Sequence, residues 1–564
     1  MRKHLLLVLS LGAATAACTS LLGDFTVKAS AGDGGSSSGG EGGGTDTCKA
    51  VTSDVSVYLG QKATLDGSGS TTTSSDSLTY SWSVGAVPPG SGVATNTLSG
   101  GSTAQASFTP DLPGDYTLVL TVSAGDCPPP STPATVHALL PQVLFAQGSI
   151  AGGAQASYVV ADLDGGPPHP VMCPDTVVTS VPNEIATFAA YAGRAYDFWE
   201  APAGQPSNYA AFTVDFLGGN YTTHLYAGTT ASGCDASLPH DLGTNGFGPS
   251  PFGTQPRFNK SGTRFAVYDS QFNILTFAPD GSSQHTVTQY GTGQSGVAQL
   301  DPLGRGPAYN EPPRVAWNSS GTELAWARSN QTTGGWEVVT APDQPNATPT
   351  LYMSCAGVTP REITLLDDGS IIAGYRASTT SGENIFQLTA DNQQKCQVEH
   401  QYTSVSDAST AIAADFDVSP DQKTLAYLQL DPSVQDASLW NLSPSGQYPG
   451  GYVYIVPINA GSPPTQVSTQ PALFGPRWIG GGTRLVFTGL DGTSDSGPPK
   501  TSVVVISPDG GGHQVVAQGD GVNTFVSTSG SSACDVAAGR VGPFGAALVS
   551  LAACAQILRR RRRR

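Results

Sequence analysis

A repeat that runs from about Gln142 to about Thr528 constrains this chain more than any other feature. Each copy has an aromatic or apolar anchor, a polar turn, and then a strand of alternating apolar residues. The turns follow one another at intervals of 59, 48, 53 and 60 residues, a self-similarity that indicates an array of repeated units. The clearest copies are PRFNKSGTRFAVYD from Pro256, PRVAWNSSGTELAWA from Pro313, FDVSPDQKTLAYL from Phe416 and PRWIGGGTRLVFTG from Pro476, and the turn positions are Gly262, Gly321, Gly369, Gln422 and Gly482.

A second element alternates with the first and reads as a hairpin whose turn contains Asp, Asn or Gly. Asp-Gly supplies the backbone conformations that tight hairpins need. Two hairpins make four strands, which is one blade of a β-propeller. The hairpins are NILTFAPDGSSQHTVTQ from Asn273, NIFQLTADNQQKCQVEH from Asn384, YVYIVPINAGSPPTQVS from Tyr452 and SVVVISPDGGGHQVVAQ from Ser502.

The repeat predicts six or seven blades. An earlier, weaker copy spans Ile185 to Trp199 and precedes a hairpin from Ala210, which completes six units. A hairpin from Ser157, a strand near Val143 to Ala146 and a last strand at Val522 to Ser527 are left over. We expect these segments to build a seventh blade from both ends of the repeat, because closure removes exposed sheet edges. Six blades remain the alternative.

The composition agrees with an all-β, exported protein. The chain has 564 residues, including 69 Gly and 42 Pro, and only 12% of its residues are charged. Many turns and few charges favour short strands over helices. The formal net charge of −17 argues against nucleic acid as a partner, because phosphate contacts need patches of Lys and Arg.

Residues 1–18 have the layout of a signal peptide. A basic start, a short apolar core from Leu5 to Leu11 and small residues precede Cys18. The run Thr15-Ala16-Ala17-Cys18 resembles a bacterial lipobox, which implies lipidation of Cys18. Ordinary cleavage after Ala16 is the alternative. Residues 19–47 include a Gly/Ser-rich stretch that predicts a flexible linker.

Residues 48–138 predict a small β-sandwich. Apolar residues alternate with period two at Val55 and Val57 and again from Tyr116 to Val122, with turn clusters between them. The segments DGSGS, YSW and FTPDLPGDYTLVLTV resemble the PKD (polycystic-kidney-disease-type) immunoglobulin-like domain. That resemblance implies a spacer or a weak contact module in an extracellular protein.

Residues 139–530 resemble the TolB-type, WD-like propeller repeats of periplasmic proteins. The resemblance is clearest for PRFNKSGTRFAVYD with APDGSS and for PRWIGGGTRLVFTG with SPDGGG. It implies binding of proteins, peptides or small ligands on one face or at the central channel.

Six of the nine cysteines fall as three sequential pairs within the predicted domains. We predict three disulfides in an oxidising compartment, although six cysteines allow 15 pairings. No two of them have the spacing of a zinc site. The predicted pairs are Cys48 with Cys127, Cys173 with Cys234, and Cys355 with Cys396, and we expect the last pair to join neighbouring elements within one blade region.

The sequence contains no recognisable catalytic, cofactor-binding or metal-binding motif. The eight histidines form no H-E-x-x-H pattern, and His285 and His513 fit surface positions after hairpin turns. Asp162 to Gly165 fits a turn better than a calcium loop. A last set of charged residues lies at predicted blade starts, where it either lines the channel or pairs between blades: Arg257, Glu311, Arg314 and Arg477.

Residues 531–564 form a distinct tail. The stretch from Val541 to Leu558 would span about 27 Å as a helix, close to the ~30 Å bilayer core. Six arginines follow it and would stay on the cytoplasmic side. Cys534, this helix and the arginines resemble the MYXO-CTERM sorting tag, which implies cleavage near Cys534 and delivery to the cell surface. A simple membrane anchor is the alternative.

These features predict a non-enzymatic binding protein of the cell envelope, at the outer membrane or cell surface. A lipid on Cys18, the C-terminal helix, or both would attach it to the membrane. Its protein or polysaccharide ligand is not encoded in any motif, and no cofactor is expected. The alternatives are a propeller-type glycosidase or lyase and a structural surface component.

Overall fold

All regular structure in the described residues is β-strand, apart from two short 3-10 helices at Thr95–Thr97 and Gly480–Gly482. The fold is therefore all-β, as predicted. No helix in this part of the chain is long and apolar enough to cross a membrane. The predicted C-terminal helix lies outside the described residues. The computed structural model describes residues 46–526, except 148–156, 164–167, 172–195, 218–219, 231–239, 242–255, 270–272, 289–314, 331–334, 358–359, 361, 378–381, 405–412, 436–448, 459–460, 492–500 and 520–524.

The first eight strands form two layers around one apolar core. One sheet has the order β2–β8–β7–β5, while β3 pairs with β6 and β1 with β4. Strand β7 alternates as the sequence predicts, with Tyr116, Leu118, Leu120 and Val122 buried. The strands are β1 (Cys48–Lys49), β2 (Val55–Tyr58), β3 (Ala63–Asp66), β4 (Thr71–Thr72), β5 (Thr79–Ala86), β6 (Gln105–Phe108), β7 (Gly114–Ser123) and β8 (Ser131–Leu139).

Two aromatic residues organise this core. Trp82 is 2% exposed, and its indole N–H donates to the Thr103 carbonyl at 3.1 Å. The Tyr116 hydroxyl lies 2.8 Å from the Leu112 carbonyl oxygen and accepts the Leu112 N–H at 2.9 Å. A tyrosine bonded to the backbone just upstream is a feature of immunoglobulin-type sandwiches.

The repeat region contains 28 further strands. They are β9 (Gln142–Gln147), β10 (Ser157–Asp162), β11 (His169–Pro170), β12 (Tyr196–Trp199), β13 (Asn208–Leu217), β14 (Asn220–Thr229), β15 (His240–Asp241), β16 (Arg257–Phe258), β17 (Phe265–Tyr268), β18 (Ile274–Phe277), β19 (His285–Thr288), β20 (Ala316–Trp317), β21 (Glu323–Asn330), β22 (Gly335–Pro342), β23 (Thr350–Cys355), β24 (Ile363–Leu365), β25 (Ile371–Arg376), β26 (Glu383–Ala390), β27 (Cys396–Gln401), β28 (Ala413–Val418), β29 (Thr424–Gln435), β30 (Pro449–Pro457), β31 (Thr465–Gln466), β32 (Ala472–Ile479), β33 (Arg484–Leu490), β34 (Thr501–Ile506), β35 (Gln514–Gly519) and β36 (Phe525–Val526).

These strands pair as antiparallel sets of four, which we number sheet 1 to sheet 7. Sheet 1 has the order β36–β9–β10–β11, so it combines the two ends of the repeat. Sheets 2 to 7 each take four consecutive strands, from β12–β15 to β32–β35. Sheets 6 and 7 are also joined by one residue pair, Gly451 with Ala472. We call the first strand of each of sheets 2 to 7 the innermost strand of that sheet. In sheet 1 the innermost strand is β36.

Each sheet packs against the next, which makes the repeat region propeller-like. Separate apolar clusters lie between sheets 2 and 3, 3 and 4, 4 and 5, 5 and 6, 6 and 7, and 7 and 1. Sheets 1 and 2 are linked by the Tyr209 hydroxyl on the Val171 carbonyl at 3.1 Å. Strands such as β17 and β34 are buried at every residue, because neighbouring sheets cover both of their faces.

The prediction for the earliest copy was wrong by one strand. The segment Tyr196–Trp199 is the innermost strand of sheet 2, and the long hairpin β13–β14 supplies its second and third strands. The sequence pattern had placed Trp199 at the end of a second strand. Trp199 instead packs under the turn of sheet 3, where a Cβ on Gly262 would overlap its indole ring.

A buried carboxylate links sheet 2 to sheet 7, the two neighbours of sheet 1. Glu200 follows β12 in sheet 2, and its two oxygens accept the N–H groups of Gly480 and Gly481 in sheet 7 at 2.9 and 3.1 Å. Gly480, Gly481 and Gly482 all have positive φ values, 61°, 63° and 89°. Successive amides in such a turn form a concave anion site that only glycine builds without strain.

The two-layered N-terminal region packs against the segment that follows Glu200. The Tyr58 hydroxyl donates to the Ala201 carbonyl at 2.9 Å, and both residues are buried. A Cβ on Gly204 would come within 3.1 Å of the Ser56 Oγ and within 3.7 Å of the Leu139 Cδ1. The described residues from 47 onward accordingly cluster as a single compact unit.

Two of the three predicted disulfides lie in the described residues and are confirmed. Cys48 bonds to Cys127 and closes the N-terminal region. Cys355 bonds to Cys396, but this bond does not lie within one blade region as predicted. It joins the outermost strand of sheet 4 to that of sheet 5, β23 to β27. Cys173 and Cys234 lie outside the described residues.

Candidate functional site

A cleft opens where the innermost strands of sheets 3, 4, 5 and 6 end. Strands β16, β20, β24 and β28 form its walls, and the turns after three of them carry Lys260, Asn318, Ser319 and Gln422 into it. Its cavity volume is about 120 Å³.

The lining of the cleft is mixed: six of its sixteen residues are aliphatic, two are aromatic and eight are polar or charged. The two aromatic residues that line it, Phe258 and Trp317, are only 4% and 9% exposed. Trp317 also donates its indole N–H to the Arg257 carbonyl at 2.9 Å. No broad aromatic face is therefore presented to the cleft. The aliphatic lining consists of Val315, Ala316, Ile363, Leu365, Val418 and Pro420.

The end of the cleft away from the turns holds a buried ion pair. Arg257 begins β16, and Glu362 directly precedes β24, so both lie at the ends of innermost strands that face away from the turns. The Arg257 guanidinium bonds to the Glu362 carboxylate across the width of sheet 4. Their side chains are 14% and 8% exposed, so each charge depends on the other for solvation.

The mouth of the cleft carries a second, looser ion pair. The Lys260 Nζ lies 3.8 Å from the Asp367 Oδ2, beyond the usual length of a hydrogen bond. Their side chains are 23% and 52% exposed. Asp367 is held independently, since its Oδ1 accepts the Gln422 amide at 2.9 Å and its N–H donates to the Gln422 Oε1 at 2.7 Å.

A third charged residue, Asp417, lines the cleft but bonds to a neighbouring sheet. The Asp417 Oδ2 in β28 accepts the Trp478 N–H of β32 at 2.8 Å. Burial raises the pKa of Asp417 to about 7, although the nearby Arg477 guanidinium opposes that shift. Arg477 is itself buried and donates to the Phe416 carbonyl at 3.2 Å.

Asp197 makes the equivalent bond between sheets 2 and 3. Its Oδ2 accepts the Phe258 N–H at 2.7 Å, while its Oδ1 is buried without a hydrogen-bond partner. Burial raises the pKa of Asp197, and the Arg257 guanidinium opposes the shift. An acidic residue on one innermost strand thus holds the amide of the next one, and its main effect is to fix the sheets.

Two of the charged residues predicted at blade starts are placed by the structure. Arg257 lines the cleft and pairs between sheets, while Arg477 bonds to the neighbouring innermost strand. Glu311 and Arg314 lie outside the described residues. The sequence reasoning missed Asp197, Glu362, Asp417 and Lys260, although the first three begin or enter innermost strands, as YDFW, EITL and FDVS show.

The other candidates do not join the cleft. His285 pairs with Asp343 at 3.2 Å, and the His513 Nε2 lies 3.1 Å from the Gln470 Oε1. Asp162 accepts the Gln142 amide at 2.8 Å. Among the described residues no group of three or more His, Cys, Asp or Glu side chains is placed to hold a metal ion. The predicted lipidation and sorting residues, Cys18 and Cys534, lie outside them.

No protein-family model and no curated protein sequence matches this chain. Among solved structures, a quinonprotein alcohol dehydrogenase-like protein from Bacteroides thetaiotaomicron is 11% identical, covering 84% of this chain and 95% of its own, with a TM-score of 0.34. TolB from Agrobacterium tumefaciens is 13% identical over 52% of this chain and 88% of its own, with a TM-score of 0.31.

A PKD domain solved in solution is 24% identical over 18% of this chain and 91% of its own length, with a TM-score of 0.14. The similarities thus include propeller proteins and a PKD domain. At these TM-scores they carry no argument about function, so the fold rests on the strand pairing described above.

Proposed function

We propose that this protein is a non-enzymatic, exported binding protein whose cleft between sheets 3 and 6 holds its ligand. The observation that carries the proposal is the contrast within the cleft. The charged groups at its buried end bond to one another or to neighbouring sheets, whereas the Lys260 ammonium group at the mouth makes, among the described residues, only a 3.8 Å ion pair. Such a cleft offers a surface for recognition without a free acid–base pair.

The finer architecture belongs to the same proposal. We read the seven sheets as the blades of a closed propeller and the N-terminal layers as an immunoglobulin-like, PKD-type spacer. The supporting features are the strand order β36–β9 in sheet 1, the Tyr116–Leu112 bonds and the buried Trp82. Contacts such as the Tyr58–Ala201 hydrogen bond would help to fix the direction in which the cleft faces.

Export is supported by the two disulfides, since such bonds persist in oxidising compartments. Attachment to the outer membrane or cell surface would follow from lipidation of Cys18, from the C-terminal helix, or from processing at Cys534. A purely structural surface component would have no need of the cleft.

One observation favours an enzyme as the second candidate. Asp417 lines the cleft, and its pKa of about 7 is suited to proton transfer near neutral pH. A propeller-type glycosidase or lyase would need a partner for it. The bond from the Trp478 N–H to Asp417 supports the structural role instead.

A thermal-shift screen tests the proposal with capped tripeptides and with neutral and acidic oligosaccharides as probes. We expect at least one probe to raise the Tm of the wild type but not that of Ser319→Trp, which places an indole in the cleft mouth. Gln393→Trp is the control, because Gln393 lies on an exposed turn of sheet 5. The stabilising probe should be recovered unchanged by mass spectrometry. Conversion of the probe would favour the enzyme, and equal stabilisation of Ser319→Trp would remove the cleft as the site.

A further inference from the structure

The mouth of the cleft combines a cation with a removable partner. Lys260 is held in place through its backbone, because its carbonyl accepts the Trp199 indole N–H at 3.1 Å. Its ammonium group, by contrast, meets Asp367 at 3.8 Å in a partly exposed position. Such pairs contribute little to stability, typically ~0–1 kcal/mol. Asp367 keeps its bonds to Gln422 without Lys260. A ligand anion can therefore replace Asp367 at Lys260 with little loss.

The local charge of the cleft favours an anion despite the acidic chain. Its lining contains two cations, Arg257 and Lys260, and one carboxyl group, that of Asp417. Glu362 pairs with Arg257, which leaves Lys260 as the lining cation whose partner, Asp367, is 3.8 Å away and half-exposed. The net charge of −17 is spread over 564 residues and is screened beyond about 8–10 Å at physiological salt.

The shape and the lining of the cleft favour the end of a chain. The buried Arg257–Glu362 pair lies at the end of the cleft away from the turns, whereas the Lys260–Asp367 end is open to solvent. Six aliphatic residues line the interior, including Ile363, Leu365 and Val418. Such walls accept an apolar side chain.

We infer that the cleft binds the carboxyl terminus of a peptide whose last residue is apolar. The terminal carboxylate bonds to the Lys260 ammonium in place of Asp367, and the last side chain lies between the aliphatic walls. The Asn318 side chain is within the lining, where its amide can bond to the peptide backbone. This inference rests on the proposed function, because it names the ligand of the same cleft.

The test is isothermal titration of the disulfide-bonded protein with two probes, acetyl-Ala-Ala-Leu as the free acid and as its C-terminal amide. We expect the free acid to bind about tenfold or more tightly than the amide, because a charge-assisted hydrogen bond is lost in the amide. The affinity for the acid should fall as salt is raised, while the affinity for the amide should change little.

Three variants locate the effect at the mouth. Lys260→Met should reduce the affinity for the free acid about tenfold and leave the amide unchanged. Asp367→Asn should tighten binding of the acid several-fold, because the competing carboxylate is removed while the Gln422 bond is kept. Lys423→Met is the matched control: Lys423 makes a similar 3.7 Å pair with Asp421 but is 80% exposed and outside the cleft lining. It should leave both affinities unchanged.

Other outcomes overturn the inference without touching the proposed function. Equal binding of the acid and the amide, or an equal effect of Lys423→Met, would show that Lys260 does not recognise the carboxylate. Glucuronate, which carries a carboxylate but no apolar side chain, should bind at least about tenfold more weakly than the peptide acid. Binding as tight as the peptide would assign the cleft to acidic sugars. If neither peptide binds but another probe binds in the cleft, the inference of a peptide ligand would be wrong and the proposed binding function would stand.

Discussion

The two ends of the cleft hold ion pairs of similar chemistry and different surroundings. Arg257 and Glu362 meet where both side chains are less than 15% exposed, whereas Lys260 and Asp367 meet at 3.8 Å beside solvent. Removing one buried partner leaves an uncompensated charge, while removing one exposed partner exposes its mate to water. The first pair therefore stabilises the fold, and the second is available for recognition.

Breaking the buried pair should give the largest effect. Glu362→Ala leaves the Arg257 guanidinium buried without its partner, and we expect a loss of about 3–5 kcal/mol in the free energy of unfolding. Urea unfolding followed by tryptophan fluorescence measures it. Asp367→Ala at the mouth is the matched control, with an expected change of about 1 kcal/mol or less. Equal losses of unfolding free energy in the two variants would show that the buried pair stabilises the fold no more than the exposed pair does.

A pH titration extends the comparison to a buried carboxyl group without a cation. Burial raises the pKa of Glu200 to about 7, and the Gly480 and Gly481 amides oppose the shift. Between pH 4.5 and 7 the folded state binds the proton more tightly than the unfolded state. The associated stability is therefore complete below pH 4.5 and is lost as the pH rises through 7.

The raised pKa of Glu200 should lower the free energy of unfolding by about 3 kcal/mol as the pH rises from 4.5 to above 7. Asp417, whose pKa is also about 7, should add a loss over the same range. Urea midpoints measured at pH 5 and pH 8 should therefore differ more in the wild type than in Glu200→Gln. An unchanged pH dependence in Glu200→Gln would contradict the assigned pKa.

A smaller effect concerns the turn that carries Lys260. Gly262 has a φ of 65°, and a Cβ there would overlap the Trp199 indole, so Gly262→Ala should destabilise by about 2–3 kcal/mol. Gly461→Ala is the control, because Gly461 has a similar φ of 59° with no atom within 4 Å of the added Cβ. Gly461→Ala should lower the free energy of unfolding by about 1 kcal/mol. Thermal unfolding distinguishes the two, and equal costs would show that contact with Trp199 does not fix the turn.

The repeat made most of this architecture readable from the sequence. Turn positions such as Gly262 and Gly321 and the Asp-Gly hairpins mark strands through local chemistry, so their spacing indicates four-stranded units. The leftover strands at Val143 and Val522 indicated a sheet made from both ends, and β9 does pair with β36. Local patterns failed in sheet 2, where the signal for the innermost strand was its packing on the next sheet.

The cleft was harder to foresee because its contacts join residues far apart in the sequence. Arg257 and Glu362 are 105 positions apart, and Asp367 and Gln422 are 55 apart. Periodicity places a residue on a strand but does not say which charge will face it. In the sequence, Lys260 is an ordinary turn residue. Its position becomes informative only in the fold, where it lies near Asp367, which bonds to Gln422 of a third turn.

A crystal structure of the protein with acetyl-Ala-Ala-Leu would test the central claim most directly. The account predicts a peptide carboxylate within hydrogen-bonding distance of the Lys260 Nζ, the leucine side chain between Ile363 and Val418, and an unchanged Arg257–Glu362 pair. Peptide bound elsewhere, or an empty cleft with Lys260 still 3.8 Å from Asp367 at saturating peptide, would contradict it.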